Sequence, residues 1–239
     1  MLSTNPIAAN IARIREQIAK AAVRAGRSPE SITLMGVTKT IPPEYIREGY
    51  EAGLRVFGEN RVQEFSEKAG QLSGLQGAEW RLIGHLQSNK AGKAAETFDA
   101  VDSVDSLRLA ERLNLACVQL NKVLPILIEI KTSGEESKAG ITGASQELEE
   151  LLQAAQGFTQ VKVRGLMTIP PYTENPEGAR SYFQTLRNLR DKIAARKLPG
   201  IGMEVLSMGM SHDFAVAIEE GSTCVRVGTA IFGSRPKAG

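Results

Sequence analysis

VTKTIPP (37–43) closes an apolar strand and leads into a helical pattern, and what it lacks decides between two folds. A doubly wound nucleotide-binding sheet carries a glycine-rich turn directly after its first strand, so that the backbone can close on a pyrophosphate. Here the turn holds Thr38, Lys39, Thr40 and the pair Pro42-Pro43. The other architecture open to a chain of repeated strand–helix units is the closed (β/α)8 TIM-type barrel, which needs no such fingerprint.

The rest of the chain reads outward from this point as the barrel requires. Upstream, Ile7, Ile11, Ile14 and Ile18 fall on one helical face, with Pro6 suited to a first turn and Gly26 to a stop. Downstream, apolar strands are expected at 55–60, 79–87, 100–106, 123–132, 161–169, 203–209 and within 223–233, each separated from the next by a helical pattern. These strands are continuous apolar runs without period-2 alternation, the mark of a parallel sheet covered by helices. The helix expected at 176–196 presents Tyr182, Leu186, Leu189 and Ile193 as its buried face. Counting residues 31–39 as the first, eight β/α units in 239 residues match a barrel of typically about 250. The expectation is an α/β fold: one barrel domain over residues 1–239, with an extra N-terminal helix.

Composition narrows the function. With 42% hydrophobic and 23% charged residues and a net charge of +2, the chain has material for a core and no bias toward nucleic acid or an anionic membrane. Cys117 and Cys224 lie in apolar segments without metal-ligand spacing, so both read as buried thiols of a reducing compartment, and no metal site is expected. No segment has the length of a membrane helix or the pattern of a secretory signal, which points to the cytoplasm.

In a barrel the carboxyl ends of the strands converge on one mouth, so residues distant in sequence become neighbours there. That set contains Lys39, Asn60, His85, Lys131, Met167, the run SMGMS (207–211) and Arg226 with Gly228-Thr229. Strand alternation places Lys39 on the face of Thr33, Met35 and Val37, and Arg226 on the face of Cys224 and Gly228. Small residues after the seventh and eighth strands let backbone N–H groups approach an anion, and barrels often hold phosphate there. Ser211 reads equally as an ordinary helix cap. A lysine in a partly dry cavity has its pKa drawn down, and a neutral amine attacks aldehydes. The aldehyde cofactor that carries a phosphate is pyridoxal 5′-phosphate (PLP), and Arg226 would donate to its pyridine nitrogen.

The segments GVTKT (36–40), FGENRVQE (57–64), IGHLQSNK (83–90), RGLMTIPP (164–171), LSMGMSHDF (206–214) and VRVGTAIFG (225–233) together resemble the PLP homeostasis proteins. These are stand-alone relatives of the alanine racemase barrel domain. The resemblance runs nearly end to end. It implies a PLP-bearing barrel that buffers or delivers the cofactor and influences amino-acid and keto-acid balance, without clear catalytic turnover. It further implies that Lys39 forms the internal Schiff base, that Ser207, Gly209, Gly228 and Thr229 cradle the phosphate, that Arg226 meets the pyridine nitrogen, and that Asn60 and Met167 line the ring. His85 is expected to make a structural hydrogen bond at the rim, His212 to be a surface residue at a helix start, and Lys138 to be solvated.

Three functions share this chemistry. A permanently cationic arginine disfavours protonation of the pyridine nitrogen, so the ring is a weaker electron sink, which suits a carrier or a racemase. A racemase needs a second base; the tyrosine-bearing second domain of alanine racemases has no counterpart here, leaving Tyr172 as the one tyrosine to nominate. A class I aldolase-type enzyme would share the lysine and the phosphate site but gives Arg226 no work. The expected partners are PLP and PLP-requiring apoenzymes, and without the racemase's second domain the expected state is a monomer.

Overall fold

The computed structural model describes residues 6–134 and 139–233. Eight parallel strands close into a barrel: β1 (Thr33–Val37), β2 (Val56–Glu59), β3 (Glu79–Leu82), β4 (Ala100–Val104), β5 (Leu124–Lys131), then β7 (Val161–Met167), β8 (Ile201–Met210) and β9 (Cys224–Val227). The two-residue β6 (Ile141–Thr142) pairs with the end of β5 outside this ring. The ring is complete because β4 pairs with β5 and the first strand, β1, pairs with the last, β9. Because every neighbour is parallel, each return crosses by a helix: α2 (Pro43–Glu51), α3 (Val62–Leu72), α4 (Ala91–Thr97), α5 (Leu107–Gln119), α6 (Gln146–Ala155), α7 (Arg180–Ala195) and α8 (Phe214–Glu219). After β9 comes a single turn, α9 (Thr229–Phe232).

The extra helix α1 (Pro6–Arg24) buries Ile7, Ile11, Ile14 and Ile18, the stripe read from the sequence. It packs on α8 and α9, and Asn10 Nδ2 donates to the Ile231 carbonyl at 2.9 Å. Ser106 and Ser145 cap α5 and α6 by accepting from Leu109 N and Leu148 N. One expected face was misplaced: on α7 the buried aromatic is Phe183, and Tyr182 is only half-buried. Both are apolar-bodied residues one position apart, so periodicity alone does not separate them.

Two apolar clusters divide the core. The large one lies between the strands and the helices. The small one, Met35, Ile83 and Cys224 with Val37, Val56 and Val205, lies inside the ring. It is small because polar groups occupy the rest of the interior. Partners in parallel register share a face, so Glu129, Met167, Ser207, Cys224 and Thr33 follow one another around the inner wall. Arg81, Asp102 and Arg226 are inside as well. Asp102 is fully buried 3.7 Å from Arg81, and burial pushes its carboxyl up to about 6 against the pull of Arg81 and Arg226. Burial alone would lower Arg81, but Asp102 first, then Cys224 and Glu79, hold it above its ordinary value. Ordinary barrels fill this space with branched aliphatic side chains.

Gly209, near the end of β8, has φ +94, and a Cβ there would stand 2.5 Å from Ala217 Cβ and 2.9 Å from Phe214 Cα. This glycine lets α8 lie directly against the strand end. Gly209→Ala is expected to combine a strained backbone with overpacking and to cost about 3 kcal/mol, read as a lower urea midpoint at unchanged m-value.

Candidate functional site

A cavity of about 270 Å³ opens at the carboxyl ends of the strands. Its wall comprises Val37, Lys39, Asn60, Ile83, Ile169, Met210, Ser211, His212, Arg226, Gly228 and Thr229. Six strand ends contribute, which is why no short sequence window reveals it. Of the eight expected site residues, Lys39, Asn60, Arg226, Gly228 and Thr229 are on this wall. The other three stand behind it. Ser207 is fully buried under Arg226, Met167 lies between Glu129 and Ser207 in the inner register, and Gly209 packs on α8. Where the sequence pointed to SMGMS as a whole, the wall positions are Met210 and Ser211.

Arg226 points inward, as strand alternation required once Met35 was inside, because Met35 and Arg226 are register partners. It is 3% exposed. Its Nη1 donates to Ser207 Oγ at 2.7 Å and its Nη2 to the Thr168 carbonyl at 2.8 Å. Burial lowers its affinity for the proton, while Cys224, Asp102, Glu129 and Asp213 pull the other way. A guanidinium has five N–H donors, and among the described residues two of them find acceptors here, so donors remain for a ligand at the wall.

Lys39 is half-buried just past β1, at the second position of a tight turn closed by Ile41 N donating to the Thr38 carbonyl at 3.1 Å. The third position, Thr40, has φ 60. Left-handed backbone costs a β-branched residue about 1–2 kcal/mol, so the turn is held by other bonds. Thr40 N donates to Glu64 Oε1 at 2.6 Å, and Lys68 Nζ donates to the Thr38 carbonyl at 2.8 Å. Asn60 reaches the wall because the facing residue is Gly84; any side chain there would run into the Asn60 backbone.

Both histidines sit at the mouth. His85 is exposed, and its Nδ1 lies 2.8 Å from Asp105 Oδ2, the rim hydrogen bond that was expected. His212 does more than begin a helix. It lines the cavity, and its Nε2 lies 3.1 Å from the carbonyls of both Thr173 and Glu174, tying the loop after β7 to the loop after β8. Tyr172, 77% exposed, leans on that ring at 5.4 Å between centroids. Asp213 accepts from Met210 N at 2.6 Å and so fixes the same turn, while Ser211, read as a possible cap, faces the cavity. Lys138 lies outside the described residues. Among the described residues no group of three or more His, Cys, Asp or Glu is placed to hold a metal ion, and no helix is long and apolar enough to cross a membrane. Cys117 and Cys224 are buried free thiols, and burial pushes Cys224 up to about 11.

The family model of the alanine racemase N-terminal domain matches residues 3–236. The pyridoxal phosphate homeostasis protein of Aquifex aeolicus is 47% identical over 225 residues, covering 94% of this chain and 96% of that one. The protein of the same name from Escherichia coli K12 is 45% identical over 233 residues, 97% of either chain. The chain belongs to the pyridoxal phosphate homeostasis protein family. Among solved structures, PipY of Synechococcus elongatus PCC7942 with PLP bound is 39% identical, with TM-score 0.80 over 92% of this chain and all (100%) of that one. A crystal structure of an unknown protein from Bifidobacterium adolescentis is 38% identical at TM-score 0.88, covering 95% and 94%. An alanine racemase of Clostridium difficile superimposes with TM-score 0.74 at 14% identity, a likeness of fold alone, and only 58% of that chain is covered.

A carboxyl that sequence reasoning missed is Glu129, inside the barrel on β5. Burial first, then Asp105, pushes it up to about 7, with Arg226 and His85 opposing. The folded protein therefore holds this proton more tightly than the unfolded chain. Stability from the group is full below the ordinary value of 4.5 and is lost as pH rises through about 7. Glu129→Gln removes that dependence: the variant should match the parent near pH 4.5 and exceed it by up to about 3 kcal/mol at pH 8, measured by denaturant unfolding at both pH values.

Proposed function

We propose that this chain binds PLP as a Schiff base on Lys39 and acts in PLP homeostasis, buffering or delivering the cofactor and thereby influencing amino-acid and keto-acid balance, without turning over a substrate of its own. One observation carries the reading: an amine, a buried guanidinium and a small-residue turn from β1 and β9 line a single cavity. The donor set fits the cofactor. Lys39 would take its aldehyde, Arg226, with donors to spare, its ring nitrogen, and the small residues of the wall its phosphate. PipY, with 39% identity, is known with PLP bound.

When bound, the cofactor supplies an electrophilic aldehyde carbon. Lys39 would hold that carbon through its Nζ at the wall of the cavity. Arg226 would donate to the pyridine nitrogen and, being cationic, would disfavour a proton there. Ser207 and the Thr168 carbonyl hold the guanidinium at that height. Gly228, Thr229 and Ser211 offer backbone and hydroxyl donors to the phosphate. Asn60 would bound the ring from the β2 side, with Met167 behind it, while Gly209 lets the β8 end that leads to Ser211 pack on α8. The cavity lies at an open mouth, which suits a protein that passes PLP to PLP-requiring apoenzymes. The reading has the protein acting as a cytoplasmic monomer of one domain.

Lys39→Ala should abolish the visible Schiff-base band and the adduct fixed by borohydride, while the parent shows both. A band retained in the variant would move the linkage to another lysine. Incubation of the loaded parent with alanine in deuterated water should leave Cα protium in place; exchange would make the protein a racemase. Transfer of PLP to a defined apoenzyme, faster than from free PLP at equal concentration, tests delivery.

A further inference from the structure

The FGENRVQE segment contributes more than Asn60. Its two glutamates, together with Lys68 one helical turn further on, lie behind Lys39 and away from the cavity. Glu59, at the end of β2, is 0% exposed. Its Oε1 accepts Thr38 Oγ1 at 2.5 Å and lies 2.7 Å from Lys68 Nζ. Its Oε2 is buried without a hydrogen bond among the described residues. Lys68, itself buried, bonds the Thr38 carbonyl at 2.8 Å and Glu64 Oε1 at 3.3 Å. Glu64 Oε1 in turn accepts Thr40 N at 2.6 Å. The two residues flanking Lys39 are thus both gripped, one through its hydroxyl and carbonyl, the other through its amide.

We infer that Glu59, Glu64 and Lys68 are positioning residues for the PLP-bearing amine: a buried ionic brace from β2 and α3 that keeps Thr40 left-handed and so aims Lys39 into the cavity. The inference rests on the proposed attachment of PLP to Lys39. Its physical basis is the turn itself. A positive φ at the third residue is what a type II turn needs, and glycine is the residue that adopts it freely. Thr40 adopts it here with a carboxylate accepting its amide and an ammonium on the turn's first carbonyl. Charged partners make such bonds roughly twice as strong as neutral ones. A buried ion pair is a weak means of stabilising a fold, since desolvation offsets much of the attraction, whereas it fixes geometry well. Glu59 and Lys68 therefore do little for stability that an apolar pair could not do, yet Glu59 holds the Thr38 hydroxyl and Lys68 the Thr38 carbonyl on one side of the lysine, and Glu64 reaches the backbone on the other.

The experiment follows the chemistry at Lys39, with protein folding read separately. Parent and variants are mixed with PLP, and the rate of Schiff-base formation is taken from absorbance. The adduct on the Lys39 peptide is fixed with borohydride and counted by mass spectrometry, and thermal melts report the folded fraction. Glu64→Ala is expected to slow attachment per folded molecule about tenfold. Glu64→Gln, whose amide oxygen still accepts from Thr40 N, should stay within about twofold of the parent. Adding Thr40→Gly to Glu64→Ala should restore most of the rate, because glycine takes the turn without the brace. Lys68→Met leaves Glu59 unpaired and is the variant most exposed to unfolding, so the conclusion rests on the Glu64 and Thr40 series. Parental rates in Glu64→Ala, or a loss that Thr40→Gly fails to repair, overturn the inference while leaving PLP binding intact. A parent that attaches no PLP at Lys39 overturns the proposed function and the brace with it.

Discussion

The pairing of β1 with β9 is the constraint from which the site follows. Thr33 stands beside Cys224 and Met35 beside Arg226, residues separated by nearly the whole chain. Once that register is set, period-2 alternation leaves no choice: Arg226 must enter the barrel, and the turns after the two strands must be neighbours at the mouth. Lys39 belongs to one of those turns and Gly228-Thr229 to the other. An open sheet with the same strands would leave β1 and β9 apart and the lysine without its arginine. Helix α1 supports this closure from outside, packing against both α8 and α9.

A charged interior is the consequence. Arg81, Asp102, Glu129 and Arg226 occupy positions where a barrel usually has aliphatic side chains. Placing a guanidinium under a ligand site requires countercharge nearby, and the carboxyls that supply it are themselves pushed toward neutrality by the same burial, Asp102 to about 6 and Glu129 to about 7. These charges oppose the effect of burial on Arg226. It also accounts for the small apolar cluster inside the ring and the large one outside: stability comes mainly from the helix–strand layer, and the interior is given over to holding a ligand.

Much of this was legible in the residues. The strand–helix alternation, the isoleucine stripe of α1, and the faces that Lys39 and Arg226 share with their strand neighbours follow from periodicity, and the barrel from the absence of a glycine-rich turn at VTKTIPP; which face points inward did not. The lysine, the arginine and the small-residue turns pointed to the cofactor, and resemblance over six separate motifs added the family. Less legible was the depth of each residue. SMGMS was read as one phosphate turn, yet Ser207 lies under Arg226, Gly209 against α8, and only Met210 and Ser211 reach the cavity. His212 looked like a helix start and instead clasps the loop after β7. The signal that could have raised it was its place beside the small-residue turn, since a loop residue there must face either the mouth or its neighbour.

The chain's own pattern carries the architecture, because apolar spacing acts over a few residues and each β/α unit announces its own two periods. It also determined which strand ends carry an amine, a guanidinium and small residues. The tertiary structure alone decided which distant charges meet. Glu59 finds Lys68 and Thr38, Glu64 finds the amide of Thr40, and Glu129 comes under the influence of Arg226 and His85. Such encounters depend on separations of a few ångströms between side chains on different elements, and on how deeply water is excluded. Neither is encoded in a local pattern; both appear only when the ring has closed.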